Sequence, residues 1–411
     1  MPALSRRQFL AVSGVTAGAA LAAGATTRPW THLLHEARRN PLPTGTGVLV
    51  LVTLYGGNDG LNTLVPYADP AYHDARPELA YAEHEVLPLA EGLGLNPSMK
   101  GLKGLWDKGK LAVVRGVGYP DPDRSHFRSM AIWQTGSPGS PQPSGWLGRW
   151  LDATGTDPLR AVAVGPTLPP LLAGLTTAGA AVPVGPMALP TGRLGSALHD
   201  LETPYAGEPR LLARVAQSGA DLFTVAATLG PALGTSAAPG TPEHGGGKPA
   251  KAGELAAQLG VVARCINAGA PTRVYSVSLG GFDTHADEKG TQSRLVGELD
   301  SALTEFLDAI GRGGHGEGVV VAAYSEFGRR VGANASQGTD HGTAAPMFVV
   351  GPHVKGGMYG EQPSLTSLND GDLKFSTDFR AVYATLLERV LGTDAEQVLG
   401  KERFPRLDLL T

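Results

Sequence analysis

Five short apolar runs, each followed by glycines or by side chains that can bind or react, constrain this chain more than any other feature. Gly47 to Tyr55 reads GVLVLVTLY and is followed by Gly56, Gly57, Asn58, Asp59 and Gly60. Leu111 to Val117 leads to the polar segment Asp121 to Ser125, and Arg273 to Leu279 leads to Gly280-Gly281-Phe282-Asp283-Thr284-His285. Val319 to Tyr324 precedes Ser325-Glu326-Phe327-Gly328-Arg329, and Met347 to Val350 precedes Gly351-Pro352. A short run that is apolar on both faces predicts a strand covered on both sides, as in a parallel sheet. Helical patterns lie between the runs, at Met99 to Lys108, Leu295 to Ile310 and Asp378 to Leu391, the last with Thr377 as the expected N-cap. Strands alternating with helices predict an α/β fold, a mainly parallel central sheet flanked by helices. The Asp, Glu, His and Ser residues then gather at the strand ends, the edge where open α/β sheets bind ligands.

The middle of the chain reads differently. Residues 137–251 are rich in Gly, Pro and Ala, which predicts an insertion or cap beside the sheet. Within it Leu211 to Leu229 has a helical pattern, and 230–251 is a low-complexity loop.

The N-terminus carries Ser5-Arg6-Arg7-Gln8-Phe9-Leu10, then an apolar stretch from about Ala11 to Ala23 and small residues Ala23-Gly24-Ala25. Paired arginines before a modest apolar segment and a small-residue cleavage site predict a twin-arginine signal peptide over 1–25. That apolar run is short of the roughly 20 residues a spanning helix needs. The expectation is export through the twin-arginine translocase to the periplasm, cell wall or exterior, with no membrane span after cleavage. Residues 26–411 form the mature domain.

The formal charge of the 411-residue chain is −4, which becomes about −6 without Arg6 and Arg7. No basic stripe is present, and this excludes a nucleic-acid binder. Cys265 is the only cysteine, so an internal disulfide and a multi-cysteine zinc site are both excluded.

Several strand-end segments can carry chemistry. Asp59, flanked by Asn58 and near Asn62, is either a turn residue or a carboxylate that its glycine neighbours let approach a cation, with the two asparagines as substrate contacts. Asp283 and His285 offer oxygen and nitrogen ligands two residues apart, suited to a divalent metal. Glu326 is either another ligand or a partner for Arg329 or Arg330. His341, next to Asp340, is either structural or a ligand. Ser125 opens a helical pattern, where it is an N-cap or a nucleophile with Arg124 and His126 beside it. A helix N-terminus favours an anion, and a nearby cation lowers the hydroxyl pKa. Arg124, Arg128 and Arg329 are candidates for gripping an anionic group in two-point fashion.

Four segments are similar to the twin-arginine-exported bacterial family called domain of unknown function 1501, itself distantly similar to alkaline phosphatases and sulfatases. They are Leu54 to Ala80 (LYGGNDGLNTLVPYADPAYHDARPELA), Arg124 to Gly136 (RSHFRSMAIWQTG), Gly281 to His285 (GFDTH), and Ser325 to Gly357 (SEFGRRVGANASQGTDHGTAAPMFVVGPHVKGG). The resemblance spans about Val48 to Leu399 and implies an alkaline-phosphatase-like fold. It implies metal ligands at Asp59, Asp283, His285, Glu326 and His341, with Asp340 as a substitute, and Ser125 as the nucleophile. Phe327 stands where the wider superfamily has a histidine. The cofactor implied is one or two divalent ions, of zinc, manganese, magnesium or calcium.

Two functions follow as expectations. One is an exported, metal-dependent hydrolase of phosphate or sulfate esters, acting on an anionic ester or glycan-type small molecule through Ser125. The other is a non-catalytic envelope binding protein that keeps the fold and at most one metal.

Overall fold

The structure is a computed structural model that describes residues 42–43, 45–140, 142–185, 187, 192–195, 210–233 and 253–411. The expected signal segment 1–25 lies outside the described residues, as does 234–251 of the low-complexity stretch; its first residues, 230–233, close a helix. Among the described residues, no helix is long and apolar enough to cross a membrane.

Among the described residues, nine strands form the central sheet: β1 (Val48–Leu54), β2 (Leu111–Gly118), β3 (Ala161–Val164), β4 (Ala180–Val182), β5 (Val274–Leu279), β6 (Val319–Ser325), β7 (Ala345–Val350), β8 (Gly357–Tyr359) and β9 (Thr377–Asp378). Their order is β8-β2-β7-β6-β1-β5-β3-β4, with β9 also on β2. Every pairing is parallel except those of β7, which runs antiparallel to both β2 and β6. The mainly parallel α/β sheet is therefore as the apolar runs predict. The antiparallel strand has a consequence for the site, because β7 begins at the edge where its neighbours end.

The central strand shows why the sheet must be covered on both sides. All seven residues of β1 are buried. Val48, Val50, Val52 and Leu54 join one core, and Leu49 and Leu51 join the other, as alternation across a strand requires. Each Val or Leu buried in this way contributes about 1.5–3 kcal/mol. Helices Lys100–Asp107, Glu254–Asn267 and Glu288–Gly313 cover the first face through Leu102, Leu259, Leu295 and Leu299. The second face packs under helices α1 (His126–Thr135), Trp146–Thr154 and Phe379–Arg389. There Trp146 stacks on Tyr383 at 4.3 Å between ring centroids and Trp133 on Phe379 at 4.6 Å.

Three readings of the sequence differ from the structure. The stretch 137–251, expected beside the sheet, supplies β3 and β4 to the sheet itself and a buried helix carrying Trp146 and Trp150. AVAV and AAV are too short and too small-sided to register as apolar runs among so many prolines and glycines. The N-cap of helix Phe379–Arg389 is Asp378, whose Oδ1 accepts from the Arg380 amide at 2.9 Å; Thr377, the expected cap, pairs with Val117 in the sheet. The helix predicted from Leu295 begins at Glu288, because its first turns are too polar to show apolar periodicity.

Candidate metal centre

The C-terminal ends of β1, β2, β5 and β6 and the start of β7 share one edge of the sheet. Three histidines and an aspartate meet there. His126 arrives in the first turn of α1 after β2, Asp283 and His285 follow β5, and His341 precedes β7.

Asp283 is the hub. Its Oδ1 lies 3.0 Å from Nε2 of His285, 3.1 Å from Nε2 of His341 and 3.4 Å from Nε2 of His126. Nε2 of His285 and Nε2 of His341 are 3.1 Å apart. Ligand atoms of His126, Asp283 and His341 all fall within 4.8 Å of one another. The remaining ring nitrogens face outward onto acceptors. Nδ1 of His126 contacts Oε1 of Glu326 at 2.8 Å, Nδ1 of His341 contacts the Arg124 carbonyl at 2.8 Å, and Nδ1 of His285 is 3.3 Å from Oδ1 of Asp340. An outward Nδ1–H leaves each Nε2 lone pair aimed at the centre, the arrangement that metal-binding histidines use.

These residues fit a divalent cation, and one atom argues it directly. Nε2 of His126 is buried and has no hydrogen-bond partner among the described residues. A buried polar atom without a partner costs roughly 1–3 kcal/mol, and a cation would satisfy it. The charge state fits as well. Burial works against the Asp283 carboxylate, but the hydrogen bond and charge of Arg329 lead the effects that outweigh it and lower its pKa to about 2, so it is anionic at neutral pH. Burial opposes protonation of His126, yet the Glu326 carboxylate more than compensates and raises its pKa, so a cation at Nε2 would have to displace a proton. Several imidazoles and one carboxylate form the donor set of zinc and its transition-metal neighbours.

Phe327 forms the apolar wall of the centre, its ring 4.8 Å from that of His126 and 4.9 Å from that of His341. Gly57 (φ +74°) makes room for it, since a Cβ there would stand 2.4 Å from the Phe327 ring. Ser129 of α1 donates to the Glu326 carbonyl at 2.5 Å and pins the helix to the end of β6.

The other expected site residues take different places. Glu326 is 1% exposed and accepts from the Gly56 amide, Ser325 and His126, so its oxygens are engaged by the protein and it meets the cluster through the His126 ring. Asp59 is fully buried away from the histidines, ion-paired with Arg76 at 2.5 Å and capping Leu61 at 3.1 Å. Asn58 and Asn62 are buried in the network around Thr63, Gln292, Tyr72 and Asn96, which removes them from substrate contact. Arg329 is buried too. It donates to the carbonyls of Gly56, Gly57 (2.7 Å), Phe282 (2.8 Å) and Thr339 (2.9 Å) and to Oδ1 of Asp283 (2.8 Å). It therefore ties three strand-end loops and has nothing left for an anion. Arg124 pairs with Asp370 and Asp372, whereas Arg128 is 72% exposed with Asp123 at 3.2 Å. Ser125 sits at the N-cap position of α1, exposed, and makes no capping bond with its side chain.

His126, read from sequence as a catalytic neighbour of Ser125, stands with the metal-ligating group. Its position one residue inside a helix that follows a buried strand was the available signal. Arg76 and Glu288, which decide the fate of Asp59, were missed, and nothing in their local sequence marks them.

No curated protein sequence matches the chain at a significant level. Similar solved structures include a protein in the alkaline phosphatase superfamily from Vibrio parahaemolyticus, 11% identical, covering 91% of this chain and 78% of that one, with a TM-score of 0.40. Another is the C-terminal periplasmic domain of EcEptC from Escherichia coli in complex with zinc, 12% identical over 90% and 93% of the two chains, TM-score 0.40. A third is the PsFucS1 sulfatase from Pseudoalteromonas sp., 14% identical over 94% and 77%, TM-score 0.40. At these values none of them assigns a role to a residue of this chain. The family model described as "Protein of unknown function (DUF1501)" matches residues 48–403, from the first residue of β1 to beyond the last helix, and the chain belongs to that family.

Proposed function

We propose that this protein holds one divalent metal ion at His126, Asp283, His285 and His341 and hydrolyses a phosphate or sulfate ester there, with Ser125 as nucleophile. The reading rests on one observation: the Nε2 atoms of three histidines turn to a single carboxylate oxygen, and each opposite nitrogen is tied to an acceptor. Zinc is the first choice from that donor set. When bound, the cation would offset the charge of the ester and lower the pKa of a nearby hydroxyl.

The chain's own residues supply the rest. The Ser125 hydroxyl is free of capping duty and is one residue from His126. Its oxygen forms a bond to phosphorus or sulfur as the ester oxygen departs, and its proton passes to the solvent that reaches it. Water then adds at the same atom, the bond to Ser125 Oγ breaks, and the hydroxyl is restored. Arg128 is the arginine on this rim that an anionic oxygen can compete for, because its one ion pair, with Asp123, is solvent-exposed. The paired Arg6 and Arg7 support export from the cytoplasm, and the substrate class that goes with this reading is an anionic ester or glycan-type small molecule.

A second reading, a non-catalytic binding protein with one metal, is favoured by Asp59. Its carboxylate is already neutralised by Arg76, which leaves it little charge to offer a second ion. The test is metal content by plasma mass spectrometry on wild type and an Asp283→Ala/His341→Ala variant, with turnover of aryl phosphate and aryl sulfate by wild type and Ser125→Ala. One equivalent of metal lost in the double variant, with turnover lost in Ser125→Ala, supports the hydrolase. Metal without turnover moves the reading to the binding protein. A folded protein that takes up no metal overturns both.

A further inference from the structure

Asp372 lies outside the metal centre, and nothing in the reading above uses it. It is 1% exposed, in a hairpin closed by mutual backbone hydrogen bonds between Asn369 and Asp372 at 2.9 and 3.0 Å. Two arginines from different segments converge on its carboxylate. Nε of Arg124 donates to Oδ2 at 2.8 Å, backed by Nη2 of the same guanidinium, and Nε of Arg330 stands 3.5 Å from Oδ1. A buried carboxylate facing two guanidiniums holds its partners in place, because each would be costly to release.

What those partners carry gives the contact its meaning. The backbone carbonyl of Arg124 accepts Nδ1 of His341 at 2.8 Å. Arg124 is also two residues before His126. On the other side, the amide of Arg330 donates to the Asp340 carbonyl at 3.0 Å, and Arg329 and His341 form a β-bridge. Asp372 thus locks the segment that brings His126 to the segment that brings His341. Asp370 shares Arg124, 3.0 Å from its Nη2, but its side chain is 77% exposed, so water can replace it.

We propose that Asp372 is a positioning residue for the metal centre: through Arg124 it fixes the carbonyl that keeps the His341 proton on Nδ1 and its Nε2 free for the cation. The proposal rests on the metal-centre reading for its consequence, but the tautomer it predicts can be read without metal. Outer-shell changes of this kind weaken metal affinity about 10–100-fold.

The experiment measures zinc affinity by chelator competition for wild type, Asp372→Asn, Asp370→Asn and Arg124→Lys, and the His341 tautomer by nitrogen-15 NMR on the metal-free proteins. Asp372→Asn is expected to weaken zinc about 10-fold or more and to move the His341 proton population from Nδ1 towards Nε2; Asp370→Asn changes affinity less than about 3-fold. The Asp372→Asn loss should shrink in a His341→Ala background, since the part carried by the Arg124 carbonyl acts through that ring. Arg124→Lys keeps the charge but loses the two-point grip, and serves if Asp372→Asn does not fold. Unchanged zinc affinity and tautomer in the folded variants would overturn the proposal, and so would a loss that persists undiminished without His341. If wild type binds no zinc, the metal reading fails, and the tautomer alone decides the role of Asp372.

Discussion

Nδ1 of His126 lies 2.8 Å from Oε1 of Glu326, a carboxylate that is 1% exposed and also accepts the Gly56 amide. The contact sets which ring nitrogen carries the proton and so which one faces the three other ligand residues. Glu326→Gln can keep the shape but present its amide nitrogen to His126, which spoils the lock. It should weaken zinc affinity about 10–100-fold, the range for outer-shell partners. His126→Ala, which removes a ligand, should exceed that range. Equal losses for the two, measured by chelator competition, would return Glu326 to the ligand set.

Asp59 and Arg76 form a fully buried ion pair, and breaking one side strands the other charge. Arg76→Met should destabilise the protein by about 3–5 kcal/mol, whereas Asp59→Leu/Arg76→Met should recover most of the loss. Urea unfolding midpoints of the metal-free proteins measure both. Asp59→Asn should leave the bound-metal count unchanged, which separates this pair from the metal centre.

Glu288 is buried beside Asp59, with Oε2 accepting from Thr339 and Oε1 without a donor among the described residues. Burial, reinforced by the Asp59 charge, raises its pKa to about 9 from 4.5, so at neutral pH it carries a proton. A raised native pKa contributes stability that is complete below the unfolded value and lost as pH rises through the native one. The loss should therefore run from about pH 4.5 to about pH 9. Glu288→Gln supplies a permanent neutral donor. Its stability should fall less over that window than that of wild type, and it should be the more stable of the two at pH 8. Parallel stability–pH curves would show Glu288 ionised in the fold.

Gly57 adopts φ +74°, and a Cβ there would overlap the Phe327 ring at 2.4 Å. Gly57→Ala should cost about 1–3 kcal/mol by overpacking, with some backbone strain added. Because the displaced ring packs against both His126 and His341, zinc affinity should fall with stability. A stability loss with full zinc affinity would show that Phe327 does not shape the centre.

The sheet was legible where side chains were large and the run continuous. VLVLVTL could only be a strand covered twice, and the chemistry-bearing residues after it were correctly expected at one edge. β3 and β4 were hidden because AVAV and AAV carry little apolar area between turns. At the site, Asp283, His285 and His341 were legible as candidate ligands because they flank strands of the shared edge, and the structure brings their ligand atoms together. Asp59 flanks one too, and its removal from the centre depends on Arg76, a residue from another segment whose charge no local pattern assigns. Arg329 shows the same limit. A guanidinium in a sequence looks available to an anion until backbone carbonyls from three loops are found around it.

His126, Asp283, His285 and His341, the proposed ligands, come from after β2, after β5 and before β7, and β7 to β9 follow the last of them. No stretch of nascent chain holds more than a pair of them, so the cation cannot nucleate folding here as it does in small metal-dependent domains. It can be captured only when contacts far apart in sequence are already made. On the reading proposed above, metal uptake would be a report of completion: an occupied centre would signal that the strands carrying these residues have come together.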